Sequence, residues 1–424
     1  MKYLTFLIVA TAVLLFHGSA RAGPYSLEII VRQFDVVDNH TIISPFSSNP
    51  NNISINNEGE VAFLAKVFGP NGQGWGVMTQ NRFIAGAGKL VDGRRVGFDN
   101  QDHTVKINNL GQVTYTGFLL DAVSGRGVFV DETLIAERGD VIDGRTILSP
   151  DFGPAINDDG TVVFLARQAD EGGERGPFGV FTPDRLVVES GQVIDGFTIG
   201  KPFGVEISNT GEIFFYTFLS GFGDDPSMSI VTPDRIVFKP GDVIDGQRVD
   251  LIDSFTLSEN GDVVMSFWRL SDGVREDKFV ATETEILVRT GDVVDGLTLE
   301  FAFDERMNDA GQLAFFGSVK NETGDDQHLV LFADDQIIAA EGDLLAGKII
   351  EQLRGFDMNR QGDLAFFVKF EDSSKVIVLA NHIQIPEPSA FVLAVTALIT
   401  FFHVVGRRTP RAIRRRRARR AEIR

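Results

Sequence analysis

The stretch NDAGQLAFFG, Asn308–Gly317, decides the fold because the chain repeats it seven times. The other copies are NNEGEVAFLA from Asn56, NNLGQVTYTG from Asn108, NDDGTVVFLA from Asn157, SNTGEIFFYT from Ser208, SENGDVVMSF from Ser258 and NRQGDLAFFV from Asn359. Their glycines fall 52, 49, 51, 50, 50 and 51 residues apart. A second motif interleaves with the first: GKLVDG from Gly88, GDVIDG from Gly139, GQVIDG from Gly191, GDVIDG from Gly241, GDVVDG from Gly291 and GDLLAG from Gly342. A worn seventh copy, FDVVDN, begins at Phe34.

A period near 50 suits four strands and their turns, the size of one propeller blade. In the repeat from Gly139, Arg145–Ile156 reads as the first strand and Thr161–Gln168 as the second. Phe178–Thr182 and Arg185–Ser190 read as the third and fourth. Val, Ile, Phe and Thr dominate these runs, as strands prefer. Successive apolar residues such as Phe214-Phe215-Tyr216 suit a sheet covered on both faces. Asn-x-x-Gly is a turn between strands one and two, with the Asn side chain capping an N–H two residues on. Asp-Gly permits a sharp bend where one blade passes to the next. TPDR at Thr182 and Thr232 turns between strands three and four. The last repeat lacks a convincing fourth strand, and YSLEIIV (Tyr25–Val31) is a lone strand at the other end. The expectation is an all-β, seven-bladed propeller over residues 23–385, its ring closed by the N-terminal strand. An open solenoid is the competing architecture.

Both ends read as addresses. Residues 1–22 have Lys2, an apolar run Leu4–Phe16 and Ala20-Arg21-Ala22, a signal peptide with cleavage between Ala22 and Gly23 by signal peptidase. Residues 386–424 open with Pro386-Glu387-Pro388, and the uncharged run 389–405 reads as a transmembrane helix. The basic segment 406–424 has ten arginines in its last eighteen residues, which hold that end on the cytoplasmic side.

This ending resembles a PEP-CTERM sorting signal. The resemblance implies processing near Pro386, Glu387 and Pro388 by an exosortase-like membrane enzyme, passage through an inner-membrane intermediate, and delivery to the cell surface or extracellular matrix. The repeats resemble the tandem-repeat family named for its NxxGxxAF motif, which Asn308–Phe315 fits fully. Thr114-Tyr115 and Val264-Met265 depart from the Ala-Phe pair. That family implies architecture and address but no chemistry.

The 424-residue chain has net charge -19 and no cysteine, so disulfides and thiolate metal sites are excluded. The basic tail leaves the body still more acidic. Such a body repels nucleic acid and anionic lipid and favours cations or basic partners. No hydrolase elbow, phosphate-binding loop, dinucleotide loop or His-Glu-x-x-His is present. The inter-blade aspartates Asp140, Asp143, Asp242, Asp245, Asp292 and Asp295 are weak calcium candidates, with turn chemistry as the plainer explanation. No other cofactor is expected. Residues that break the repeat are better functional candidates, and Trp75, Trp268, Arg269 and His328 each occur once at variable positions.

The sequence therefore predicts an exported, surface-sorted repeat protein acting as a non-catalytic binding or structural component of the envelope or exopolymer matrix, with exopolysaccharide as a partner. The alternative is an extracellular propeller enzyme, of glycosidase or lyase type. Non-repeated Asp, Glu, Arg or His clustered in the central funnel favours the enzyme. A funnel lined only by repeat residues favours display.

Overall fold

A two-residue left-handed turn sets the start of every blade, Asp-Gly in five, Asp38-Asn39 in the first and Ala346-Gly347 in the last. In the third repeat, Val141–Ile142 pairs antiparallel with the start of Arg145–Pro150. Asp143 and Gly144 form the two-residue turn with φ of 49° and 72°, both left-handed, as a type I′ hairpin requires. The hairpins then wedge between blades. Val294 is buried against Val280 and Val288 of one blade and Leu299 and Phe332 of the next, while Val293 stays exposed. This alternation is the period of two expected of a strand with one buried face.

A computed structural model describes residues 25–45, 52–99, 104–121, 125–151, 153–220, 228–320 and 327–383. It contains seven antiparallel blades whose strands span 36–86, 90–137, 141–189, 193–238, 243–289, 293–340 and 344–382. In blade 3 the innermost strand is interrupted, with Arg145–Pro150 and Ala155–Ile156 both pairing with Val162–Ala169. The sequence suggested one continuous strand there. A register shift after Ile147 and a left-handed Gly153 (φ 80°) break it. The TPDR segments turn as expected, with Thr182 N–H donating to the Arg185 carbonyl at 3.0 Å.

Closure is by the N-terminal strand. Tyr25–Arg32 pairs antiparallel with Lys375–His382, Ile29 opposite Val378, and so supplies the outer strand of blade 7. This rules out the open solenoid. All seven sheets and the closing pair fall within 25–383, so the ring is complete without the remaining residues. The positions Ala22, Gly23, Pro386, Glu387 and Pro388, the run 389–405 and the basic tail lie outside the described residues. Among the described residues, no helix is long and apolar enough to cross a membrane.

The Asn-x-x-Gly turns form a ring of hydrogen bonds around the axis. Asn56 Oδ1 accepts from the N–H groups of Glu58 (3.1 Å) and Glu60 (2.9 Å), closing its own turn. Its Nδ2 donates to the Asn108 carbonyl of the next blade at 3.3 Å. Asn108 donates likewise to Asn157, and Asn157 to Ser208. Asn359 of blade 7 returns to the Asn56 carbonyl at 3.1 Å, so the ring closes here too. The residue after each motif Asn adds a second row: Asn57 N–H to Asn109, Asn109 N–H to Asp158, and Arg360 N–H to Asn57. Glu259 reaches across the axis, and its carboxylate accepts from the amides of Asn57 (2.9 Å), Asn109 (3.3 Å) and Asn209 (3.3 Å). Burial pushes that carboxyl above its ordinary value, against the hydrogen bonds from Asn109 and Asn57.

The blades differ in how they join this ring. Asn108→Ala removes two caps and an inter-blade bond from a buried site and is expected to cost about 2–4 kcal/mol at roughly 1 kcal/mol per bond. Ser258→Ala removes the cap to Asp262 N–H and a long 3.4 Å hydrogen bond to the Asp262 carboxylate, but no inter-blade bond, and is expected to cost about 1–2 kcal/mol. Urea denaturation of the two variants checks the ranking.

Candidate functional site

The Asn ring fixes the register of the seven inner strands, so equivalent positions encircle the axis at equal depth. Counted back from each motif Asn or Ser, the second position holds Ser54, Lys106, Ala155, Glu206, Thr256, Arg306 and Asp357. The third holds Ile53, Val105, Pro154, Val205, Phe255, Glu305 and Phe356. The fourth holds Asn52, Thr104, Gly153, Gly204, Ser254, Asp304 and Gly355. The motif repeats, but these three columns do not.

Blade 6 departs furthest. Its inner strand, Leu297–Met307, pairs Phe303 with Phe316 and Arg306 with Ala314, so Asp304 and Glu305 together oppose Phe315. This is a bulge, which re-aims side chains. Asp304 takes a left-handed φ of 52°. Three sister blades use Gly at this position, with φ of 80° at Gly153, 58° at Gly204 and 27° at Gly355. Blade 6 places a carboxyl there at some backbone cost, and such strain concentrates at functional sites.

Residues from all three columns line one axial cavity of about 190 Å³, to which every blade contributes, while Glu305 lies behind its wall. Two ion pairs line it: Lys106 of blade 2 to Glu206 of blade 4 at 3.0 Å, and Arg306 to Asp357 of the neighbouring blade at 3.2 Å. Arg306 also donates to the Glu305 carbonyl at 2.8 Å, which locks the guanidinium. The Tyr216 ring forms part of the wall, and its hydroxyl accepts from Phe255 N–H. Ser254, Thr104 and Thr256 add hydroxyls.

Two carboxyls are left over. Asp304 lines the cavity with no hydrogen bond or ion pair of its own among the described residues. Burial raises its pKa, and the charges of Arg306 and Lys278 oppose the shift only in part. Glu305 occupies a position that is apolar in the other six blades and is fully buried. One oxygen accepts from Ser254 Oγ at 2.7 Å, and the other has no partner among the described residues. Burial raises its pKa as well. The Tyr216 hydroxyl is pushed well up by burial, and then by Glu305. The site thus combines fixed cations, fixed carboxylates and two carboxyls whose pKa burial raises.

The residues singled out from sequence lie elsewhere. Asp140, Asp242 and Asp292 each accept the N–H three residues before, at 2.7–2.9 Å, from Glu137, Lys239 and Arg289. Asp143, Asp245 and Asp295 hold left-handed turns, and Asp295 also accepts from Ile337 N–H at 3.3 Å. All six therefore serve turns. Among the described residues, no three His, Asp or Glu side chains are grouped to hold a metal ion. Trp75 packs against the core between blades 1 and 2. Trp268 lies under Arg275 and Lys278, at 5.3 and 5.4 Å. Arg269 pairs with Glu276 and Asp277, and His328 pairs in register with Val319. None of these four lines the axial cavity. The Asp304-Glu305-Arg306 triplet was overlooked, although aligning the repeats on the motif and reading backward exposes it.

A family model described as a family of unknown function, DUF7453, matches residues 15–392. No curated protein matches the chain. Among solved structures, a subtype N11 neuraminidase-like protein of A/flat-faced bat/Peru/033/2010 (H18N11) is similar at 9% identity and TM-score 0.31, over 80% of this chain and 89% of that one. The Hadza microbial sialidase Hz136 is similar at 12% identity and TM-score 0.35, over 76% of this chain and 74% of that one. The polysaccharide lyase Uly1 is similar at 9% identity and TM-score 0.34, over 87% and 92%. At these TM-scores the likeness carries no argument about activity.

Glu305 gives the site a measurable signature. A carboxyl whose pKa is raised by folding holds its proton more tightly in the native state, so stability falls as pH rises from the unfolded value through the folded one. Glu305→Leu, close in volume and apolar like its sister residues, is expected to stabilise the protein at pH 7 by about 1–4 kcal/mol. The gain should shrink toward pH 4, where the native carboxyl is protonated. Denaturant titrations at the two pH values check both the sign and the narrowing.

Proposed function

The chain belongs to DUF7453, a family of unknown function, and from that premise we propose that it is an exported, surface-sorted propeller that holds a saccharide unit in its axial pocket. One observation carries this reading. Three consecutive residues of blade 6, Asp304-Glu305-Arg306, break the repeat where the inner strands meet, with Arg306 paired to Asp357 and the Lys106–Glu206 pair in the same cavity wall. A cavity of about 190 Å³ is below the roughly 300–1,000 Å³ of pockets for drug-sized ligands. It suits one sugar ring. Its wall offers donors (Lys106, Arg306), acceptors (Glu206, Asp357) and hydroxyls on every side, beside the Tyr216 ring. A ligand whose hydroxyls both donate and accept matches such a wall.

Asp304 favours a second reading, cleavage of a glycosidic bond. A carboxyl whose pKa is raised by burial is suited to give a proton to a leaving oxygen. Non-repeated charged groups at the axis are the pattern that separates a propeller enzyme from a purely structural disc, so the purely structural version loses support.

Asp304→Gly tests both readings, because Gly is the sister residue and accepts the left-handed backbone. The residue 25–383 body should bind a neutral or acidic oligosaccharide in a glycan-array screen. Asp304→Gly and Arg306→Thr should each weaken that binding by about tenfold, the loss of one good charged hydrogen bond. Reducing-end release by the wild-type body, abolished in Asp304→Gly, would establish cleavage. An array without hits would sink the saccharide reading. Sorting has its own check, the C-terminal peptide of protein recovered from its own cells by mass spectrometry. A terminus near Pro386–Pro388 is expected, and an intact Arg424 would overturn the exosortase reading.

A further inference from the structure

We propose that a groove across blades 2, 3 and 4 is a second binding site, one that takes a carboxylate-bearing polysaccharide of the polyuronate class. The proposal goes beyond the axial reading and stands if that reading fails.

The groove has a volume of about 720 Å³, several times that of the axial cavity, and it is open. In a chain of net charge -19 it gathers five cations: Arg126, Arg138, Arg167, Arg175 and Lys201. Asp151 and Glu174 are its only carboxylates among the described residues. The sign of the surface is therefore reversed here.

Two of the cations share one carboxylate, and Arg138, Arg167 and Arg175 have no ion pair among the described residues. The shared carboxylate, Asp151, stands 3.4 Å from Arg126 and 2.9 Å from Lys201. Lys201 Nζ and Arg167 Cζ lie 4.1 and 4.9 Å from the Phe178 ring centroid, so one aromatic face system positions both without cancelling their charge. Arg167 is further fixed by the Gly176 carbonyl at 3.2 Å. Arg138 and Arg175 are exposed, and their side chains have no hydrogen bond or ion pair among the described residues. A guanidinium matches a carboxylate with two parallel hydrogen bonds.

The arrangement selects an extended ligand. The five cations come from three blades, so a single small anion meets only some of them. A polymer with one carboxylate per sugar meets them in turn. A stiff duplex is opposed by the acidic surface around the groove, because charges within a Debye length of about 8 Å remain felt.

Isothermal titration of the 25–383 body with galacturonate oligomers tests this, the basic tail being left out because it would bind any polyanion. Binding is expected, and neutral dextran oligomers should not compete for it. Arg175→Glu should weaken it by about tenfold or more, since one bidentate contact becomes a repulsion. Arg185→Glu makes the same charge change at an exposed turn outside the groove and should alter affinity by less than about twofold. Equal melting temperatures for the two variants exclude misfolding. Asp304→Gly should leave this affinity intact, which separates the groove from the axial pocket. The proposal is overturned by failure to bind, by equal losses in the two arginine variants, or by single-stranded DNA or inorganic phosphate binding as tightly at matched charge.

Discussion

One side-chain amide holds the ring together. The motif Asn uses its oxygen to close its own turn and its nitrogen to reach the carbonyl of the next blade. Both partners are buried backbone groups that would otherwise be left unpaired near the axis. Where Ser replaces Asn, at Ser208 and Ser258, the hydroxyl accepts from its own turn, and Ser208 is held further by Thr210. The ring is maintained there by other means. Asn209 N–H takes the Glu259 carbonyl at 2.7 Å, and the longer Glu259 side chain collects amides from across the axis. A carboxylate at a sevenfold crossing point is tolerable because three amide groups donate to it.

This ring explains why the site could evolve where it did. It pins the register at one end of every inner strand, so the columns just before the motif are free to vary without loss of closure. Six of the seven residues two positions back are polar or charged, and four of them form the two ion pairs at the axis. Glu305 shows the cost. It stands where six blades place an apolar residue, with one oxygen unpaired. An uncompensated buried carboxyl is a poor choice for stability alone.

The fold was legible because its determinants are local. Asp-Gly specifies a type I′ hairpin, Asn-x-x-Gly a capped turn, and the lone strand Tyr25–Val31 the closing edge, each within a few residues. The interruption of the blade 3 inner strand was not, since it arises from fitting a bulge against Val162–Ala169. The axial site was hidden for a different reason. Attention fell on rare residue types such as Trp268 and His328 and on the repeated aspartates. Asp, Glu and Arg are common, and only their register relative to the motif makes Asp304-Glu305-Arg306 exceptional. The basic groove was hidden by the net charge, because its cations are spread from Arg126 to Lys201 and converge only after three blades pack.

Net charge and local charge therefore answer different questions in this protein. The acidic surface acts over the Debye length and disfavours polyanions arriving at random. The groove acts at contact, where Arg138 and Arg175 have no side-chain partner among the described residues, Asp151 holds Arg126 and Lys201, and Phe178 and the Gly176 carbonyl hold Arg167. A weakly charged or flexible polyanion pays less in the first regime and gains fully in the second. A dense, stiff one is penalised before it reaches contact. The sequence-level expectation of cationic or basic partners followed from the average. The structure adds a local reversal of charge, through residues that the propeller brings together from separate blades.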